Sequence, residues 1–479
     1  MQHVPISPVR PDRVRDVLTP EMVAAFDDGV RQARDVLGAR AVWNVNSTAR
    51  GGGVAELLRP LVAYARGTGV DARWAVIEGD HDFFEVTKRI HNRLHGARGD
   101  GDPLDEHARD VYEAVLAENA SALAERVRPG DIVIVHDPQP AGIITSVREA
   151  GASVIWRCHV GLDRPNEVAR EAWTFLHRYV EPADAYVFSR EAFAWEVLDR
   201  SRIFVVAPTI DPFAPKNQEL GPDAVRAILG ESGVLPAEGE PGAATFRRQD
   251  GAPGRVERSV SMREDHPLRP DDRIVVQVSR WDALKDPVGV IQGFAAHVPA
   301  ATGAHLVYAG PDVEAVADDP EGKRTLHDAI AARNGLPEEA RRRVHLATLP
   351  MDDPEENAII VNALQRHARV IVQKSLAEGF GLTVAEAMWK GRPVVATKIG
   401  GIQEQIVDGD GGVLLEEPAD LAAYGAAVAD LLADPPRAER VGRRARERVR
   451  DRFLSPRSLL DYLDVIRRIA PRARSTLTT

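Results

Sequence analysis

"RAVWNVNSTARGGGVAELLRPLVAYARGTGVDARWAVIEG" occupies residues 40–79. Its first part, "RAVWNVNST", is an apolar run of strand type, and "ARGGG" is a turn. "VAELLRPLVAYARGTG" sets Leu57, Leu58, Leu61 and Val62 on one helical face, with Gly67 as a stop signal. "VDARWAVIEG" is a second strand. A strand, a helix and a strand make a βαβ unit, whose two strands run parallel.

The alternation continues along the chain. "DIVIVHD", "SVIWRCHV" and "AYVFS" read as strands between helical patterns, and "IFVVAPTID" closes the first half. A second series runs through "RIVVQVSRWD", "AHLVYAG", "RVHLATL", "RVIVQKS", "RPVVATKIG" and "GGVLLEE". The fold class is α/β, with two doubly wound, Rossmann-like domains facing each other. The expected division is 1–208, 209–455, and a C-terminal helix and tail over 456–479. Residues 237–272 include "EGEPGAATFRRQDGAPGRVERS", rich in Gly, Pro and charge, and read as a flexible insertion without folded elements.

With 479 residues, 44% hydrophobic and 28% charged, the chain has the balance of a soluble globular protein. Its formal net charge of −11 makes it a poor partner for nucleic acid or an anionic membrane. Cys158 is the single cysteine, so no disulfide can form within the chain. With no apolar leader at the start and no run of about 20 apolar residues, a cytoplasmic protein is expected. Asp80/Asp82, Asp100/Asp102 and Asp408/Asp410 each give Asp-x-Asp, a pattern common in acidic loops, and there is no Cys/His cluster. No metal ligand is assigned. A Mg²⁺ ion is compatible with this reading, but no motif supports one.

Gly51, Gly52 and Gly53 stand between a strand and a helix, where a backbone can approach an anion closely. The run lacks the third glycine of a dinucleotide fingerprint, because Glu56 holds that place, and it lacks the Lys-Ser/Thr of a P-loop. Arg280 and Lys285, in "SRWDALKD", follow a strand, and two cations there can hold a diphosphate. In "EGFGLTVAEAMWKG" (378–391), Glu378 precedes a glycine turn and can accept hydrogen bonds from sugar hydroxyls. Thr383 and Glu386 have capping-box spacing, so Glu386 is also read as a helix cap. Arg157 and His159 end one strand and "VHDPQP", with Asp137, ends another, where open α/β sheets bind ligands. For a lone histidine there, a core residue is the preferred reading.

Glu378 and Glu386 resemble the E-x7-E motif of the retaining GT-B glycosyltransferases of family GT4. "VWNVNSTARGGGVAELL", "WAVIEGD", "FFEVTKRIHN", "VHDPQP", "WRCHV", "PTIDPFAPKN" and "GGIQEQIVDG" resemble, more narrowly, the trehalose glycosyltransferring synthases. The resemblance implies an acceptor-side first domain and a nucleotide-sugar-binding second domain, with C-terminal helices crossing back to the first and a hinge near 208–212. It implies retaining glucosyl transfer from a nucleotide-diphosphate glucose to free glucose, giving trehalose reversibly and requiring no cofactor. Arg280 and Lys285 would hold the diphosphate, assisted by the backbone at Gly51, Gly52 and Gly53. Glu378 would orient the donor sugar, Glu386 would meet the ribose and His159 would touch the donor glucose. Gly379, Phe380, Gly381, Leu382 and Thr383 would complete the donor contacts, and Asn46, Asp137 and Arg157 the acceptor side. Partners are small-molecule substrates; a homodimer rests on the resemblance alone. A retaining trehalose phosphorylase and a non-catalytic sugar-nucleotide-binding protein are the rival readings.

Overall fold

Buried β-branched runs separated by amphipathic helices give each half of the chain a parallel sheet with both faces covered. The computed structural model describes residues 1–49, 52–237, 244–313 and 320–470. Gly51, residues 238–243 of the expected insertion and the tail beyond 470 lie outside them. The chain divides into two units, one of Met1–Thr209 with Phe453–Thr479 and one of Ile210–Arg452.

The first unit holds β1 (Gln2–His3), β2 (Val42–Asn46), β3 (Ala72–Val76), β4 (Ile132–His136), β5 (Ser153–Cys158), β6 (Ala185–Phe188) and β7 (Ile203–Val205). Their order is β1-β3-β2-β4-β5-β6-β7, parallel except for β1. Side chains alternate between faces. Trp43, Val45, Val133, Val135 and Trp156 enter one core; Val42, Ile132, Ile134, Ile155 and Val187 enter the other. By the same alternation Asn44, Asn46, His136 and Arg157 fall on the second face, towards the carboxyl ends of their strands, and all four are buried. The last helix, Ser455–Ile469, packs Tyr462, Val465 and Ile466 into this second core and so belongs to the first unit.

The second unit holds β8 (Thr245–Arg247), β9 (Pro253–Arg255), β10 (Ser261–Arg263), β11 (Arg273–Val278), β12 (Ala304–Pro311), β13 (Val344–Leu349), β14 (Val370–Gln373), β15 (Val394–Thr397) and β16 (Val413–Leu415). The sheet order is β10-β13-β12-β11-β14-β15-β16, parallel except for β10. All six strands read from the second series are present as β11 to β16. With both sheets, the architecture is the α/β fold of two Rossmann-like domains.

The expected insertion needs correction. Residues 244–272 carry a hairpin, β8 with β9, and a strand, β10, that extends the main sheet through β13. Composition misled because these strands are three residues long and their charges have fixed partners far along the chain. Arg248 donates to Asp353 at 2.6 Å and to Glu355 at 3.3 Å. Glu356, 1% exposed, accepts from the backbone N–H groups of Glu257 and Arg258, both at 2.5 Å, and pairs with the Arg258 guanidinium. Asp265 takes Arg333 at 2.7 Å and Arg341 at 2.8 Å. Glu356→Ala orphans two backbone donors, so it should cost about 2 kcal/mol. Denaturant unfolding checks this, and limited proteolysis within 244–272 should accelerate in the variant. An unchanged midpoint and cleavage rate would show that Glu356 does not anchor the segment.

Candidate active site

In the second unit, the loops after β11 and β14 are stitched together by polar side chains at the strand ends. Gln277, fully buried, donates to the Lys285 carbonyl at 2.9 Å and accepts from the Lys374 N–H at 3.1 Å. The Leu376 N–H donates to the Leu284 carbonyl at 2.7 Å. This brings the Lys285 ammonium to 2.6 Å from Glu378 Oε2, which also accepts from the Ser375 hydroxyl at 3.4 Å. Arg280 is not part of this pair. Its side chain is 72% exposed and donates to Asp282 at 3.1 Å.

The turn after Glu378 is held from the 399–405 stretch. Gly379 accepts from the Gly401 N–H at 2.7 Å, and buried Gln405 donates to the carbonyls of Phe380 at 2.5 Å and Gly381 at 3.2 Å. A Cβ on Gly400 would stand 2.0 Å from the Glu378 carbonyl oxygen, so only glycine permits this approach. Gly381 has φ 78° and is itself the N-cap of the helix Leu382–Trp389, with no side-chain cap. The expected capping box is therefore absent. The left-handed glycine starts the helix early and puts Thr383 and Glu386 inside it.

Glu386 instead lies 5% exposed with the Lys216 ammonium 3.6 Å from Oε1. Lys390, one turn on, donates to the Glu386 carbonyl at 3.0 Å and to Asn217 Oδ1 at 3.2 Å. Lys216, Asn217, Lys390 and Gln405 escaped the sequence reading as site residues. Their only signal was position inside "PTIDPFAPKN", "EGFGLTVAEAMWKG" and "GGIQEQIVDG".

In the first unit, Gly52 has φ 79° and N-caps the helix Gly53–Gly67. A Cβ at Gly52 or Gly53 would meet nothing within 4 Å among the described residues, so that backbone stands open to them. The Asn46 amide is engaged at both ends, donating to the Thr48 carbonyl and accepting from the Trp74 indole, each at 2.7 Å. Asp137 takes φ 65°, a left-handed conformation rare outside glycine, and accepts from the His159 N–H at 2.7 Å. Burial pushes its carboxyl up to about 6, against the pull of that hydrogen bond and of Arg157. Arg157, 1% exposed, donates to the Ser189 hydroxyl at 3.2 Å, while its Nε and Nη1 have no hydrogen-bond partner among the described residues. His159 lies 3.1 Å from His136, which lies 3.1 Å from Asn44; sequence reasoning named neither partner.

No group of His, Cys, Asp and Glu among the described residues could hold a metal ion. Two of the Asp-x-Asp pairs have local duties: Asp80 caps the helix His81–Leu94, and Arg89 gathers Asp100 and Asp102. No helix among the described residues is long and apolar enough to cross a membrane.

Lys390 carries a measurable consequence. Burial pushes its ammonium down from 10.5 to about 7, although Glu386 opposes the shift. Below that value both folded and unfolded chains hold the proton and the folded state bears the full desolvation cost. Between about 7 and 10.5 the unfolded chain holds the extra proton, so stability rises with pH across that window. Lys390→Met should lose this rise. Thermal midpoints of both proteins across the window test it, and parallel pH dependences would refute it.

Two family models match the chain: "Trehalose synthase, N-terminal domain" over residues 44–195 and "Glycosyl transferases group 1" over residues 260–448. The trehalose synthase of Rubrobacter xylanophilus is 38% identical, covering 89% of each chain. That of Pyrococcus horikoshii is 34% identical over 91% of this chain and 92% of its own. A trehalose phosphorylase of Pleurotus sajor-caju is 26% identical over 77% of this chain and 50% of its own. Among solved structures, a UDP-forming α,α-trehalose-phosphate synthase from Burkholderia vietnamiensis matches with TM-score 0.64 at 17% identity, over 89% of this chain and 98% of that one, a likeness of fold. The chain belongs to the trehalose synthase family of GT-B glycosyltransferases.

Proposed function

We propose that this protein transfers a glucosyl group from a nucleotide-diphosphate glucose to free glucose, with retention of configuration, and so makes trehalose. The bond from the anomeric carbon to the phosphate oxygen breaks as the bond to the acceptor oxygen forms on the same face. The acceptor's hydroxyl proton leaves with the nucleoside diphosphate. No covalent enzyme intermediate is required.

The observation that carries this reading is the Lys285–Glu378 contact of 2.6 Å. It places a cation and a carboxylate together at the carboxyl ends of neighbouring parallel strands, where open α/β sheets bind ligands. An ammonium has three donors, so Lys285 serves Glu378 and a phosphate oxygen at once, stabilising the leaving diphosphate. Glu378 then orients the sugar hydroxyls. Arg280 joins the diphosphate by leaving Asp282, which costs little because the pair is exposed. Glu386, steadied by Lys216, accepts from the ribose hydroxyls, and 379–383 line the donor. Gly52 and Gly53 offer open backbone to the phosphates, with Gly51 beside them in sequence. His159 touches the donor glucose. Asp137 and Arg157 serve the acceptor side, and Asn46 frames the loop after β2.

The test is a product assay with glucose and, separately, UDP-, ADP- and GDP-glucose. Trehalose and free nucleoside diphosphate in equal amounts are expected from at least one donor. Lys285→Ala should lower kcat about a hundredfold or more. Glu386→Gln should raise the donor KM more than it lowers kcat. Glucose 1-phosphate formed from trehalose and phosphate, without nucleotide, would replace this reading with a phosphorylase. Donor binding without turnover in any tube would replace it with a binding protein.

A further inference from the structure

His136 lies between Asn44 and His159 in a chain of hydrogen bonds that is buried at Asn44 and His136. Its Nε2 is 3.1 Å from Asn44 Oδ1, and its Nδ1 is 3.1 Å from His159 Nε2. The two rings are nearly parallel, 18° apart. Three contacts and the proton inventory of neutral imidazole determine where every proton sits.

Asn44 sets the direction. Its Nδ2 reaches the Arg73 carbonyl at 3.5 Å, and reversing the amide would turn Oδ1 onto that carbonyl oxygen, two acceptors face to face. Oδ1 therefore faces His136, and it can only accept, so His136 Nε2 carries a hydrogen. Both rings are neutral. Burial, with the Arg157 charge adding to it, pushes His136 down to about 3 and His159 well below its ordinary value. Asp137, the other charged group here, spends Oδ1 on the His159 backbone N–H and not on either ring. A neutral His136 protonated at Nε2 has a bare Nδ1, which must receive its hydrogen from His159 Nε2. His159 then has its own Nδ1 bare. Among the described residues that nitrogen has no hydrogen-bond partner, and His159 is only half-buried.

We infer that Asn44 and His136 are positioning residues that lock His159 in its Nε2–H form, so that it meets substrate only as a hydrogen-bond acceptor through Nδ1. The sugar side of this inference rests on the reading proposed above; the tautomer does not. The ligand consequence is specific. The sugar hydroxyl at His159 must donate, so a group that accepts without donating cannot replace it.

Nitrogen-15 NMR of the histidine-labelled, ligand-free protein tests the tautomer, with His159→Gln identifying the signals. A bare Nδ1 and protonated Nε2 at His159 are expected near neutral pH. Asn44→Asp should reverse the chain. A carboxylate favours a doubly protonated His136, which donates to His159 Nε2 and moves the His159 proton to Nδ1. A protonated Nδ1 at His159 in the wild type overturns the inference even if Asn44→Asp fails to fold. An unchanged His159 in a folded Asn44→Asp protein overturns the relay. Deoxy and deoxyfluoro glucosyl donors, scanned over each hydroxyl, test the ligand side. At the position whose loss is abolished in His159→Ala, fluorine should cost as much as hydrogen, roughly tenfold or more in kcat/KM. Activity retained by the fluoro donor alone would overturn the acceptor role. If no donor is turned over, the spectrum still decides the tautomer, so this inference and the proposed reaction fail separately.

Discussion

A polar side chain taken out of water must find a partner, and in this protein that requirement falls at the carboxyl ends of parallel strands. Asn44, Asn46, His136 and Arg157 lie towards these ends in the first unit, and Gln277, Gln373 and Lys374 do so in the second. Each is buried in, or just past, a strand whose other buried positions are mostly apolar. Their partners lie on neighbouring strands and loops, so satisfying them fixes where those loops run. Gln277 ties the turn before the helix Pro287–His297 to the start of the loop after β14, alongside the Leu376 N–H to Leu284 carbonyl bond and the Lys374–Asp286 pair. Together these ties set Lys285 against Glu378. The polar strand ends are thus both a cost to the core and the means by which the candidate site acquires its geometry.

The same burial determines protonation. Removing a group from water favours its neutral form, whatever its ordinary charge. Asp137 moves up to about 6, His136 down to about 3 and Lys390 down to about 7. These groups sit among hydrogen-bond partners and not in exposed ion pairs. A neutral imidazole keeps a fixed hydrogen-bond direction, because it has one donor and one acceptor. That directionality lets the Asn44 carbonyl act on His159 through His136.

What could be read from the sequence and what could not divide along the range of the interactions. Strands such as 132–136 and 370–373 announce themselves through runs of Val and Ile, a local signal. The E-x7-E spacing and the glycines were legible for the same reason. The 244–272 segment was not, because its order comes from Asp353, Glu355 and Glu356, about a hundred positions away, and composition carries no record of such pairs. The capping box failed for a local reason. Thr383 and Glu386 have its spacing, but Gly381 at φ 78° begins the helix before Thr383 can cap it. Arg280 was grouped with Lys285 because both follow one strand and by resemblance, yet the turn Ala283–Lys285 separates an exposed guanidinium from a half-buried ammonium.

Arg157 is the sharpest case of a residue whose placement outruns its local partners. The only hydrogen bond of its guanidinium to a described residue is to Ser189, leaving Nε and Nη1 buried without partners among those residues, a cost of order 1–3 kcal/mol for each unmet donor. No carboxylate forms a salt bridge with it among the described residues; Asp137 feels its charge and spends an oxygen on the His159 backbone. A cation so placed does physical work without a direct contact. It opposes protonation of both His136 and His159. A second proton on either ring would break the one-donor, one-acceptor sequence that runs from Asn44. The guanidinium therefore supports, through its field, the hydrogen-bond direction that Asn44 sets through its carbonyl, and the two constraints converge on the same nitrogen of His159.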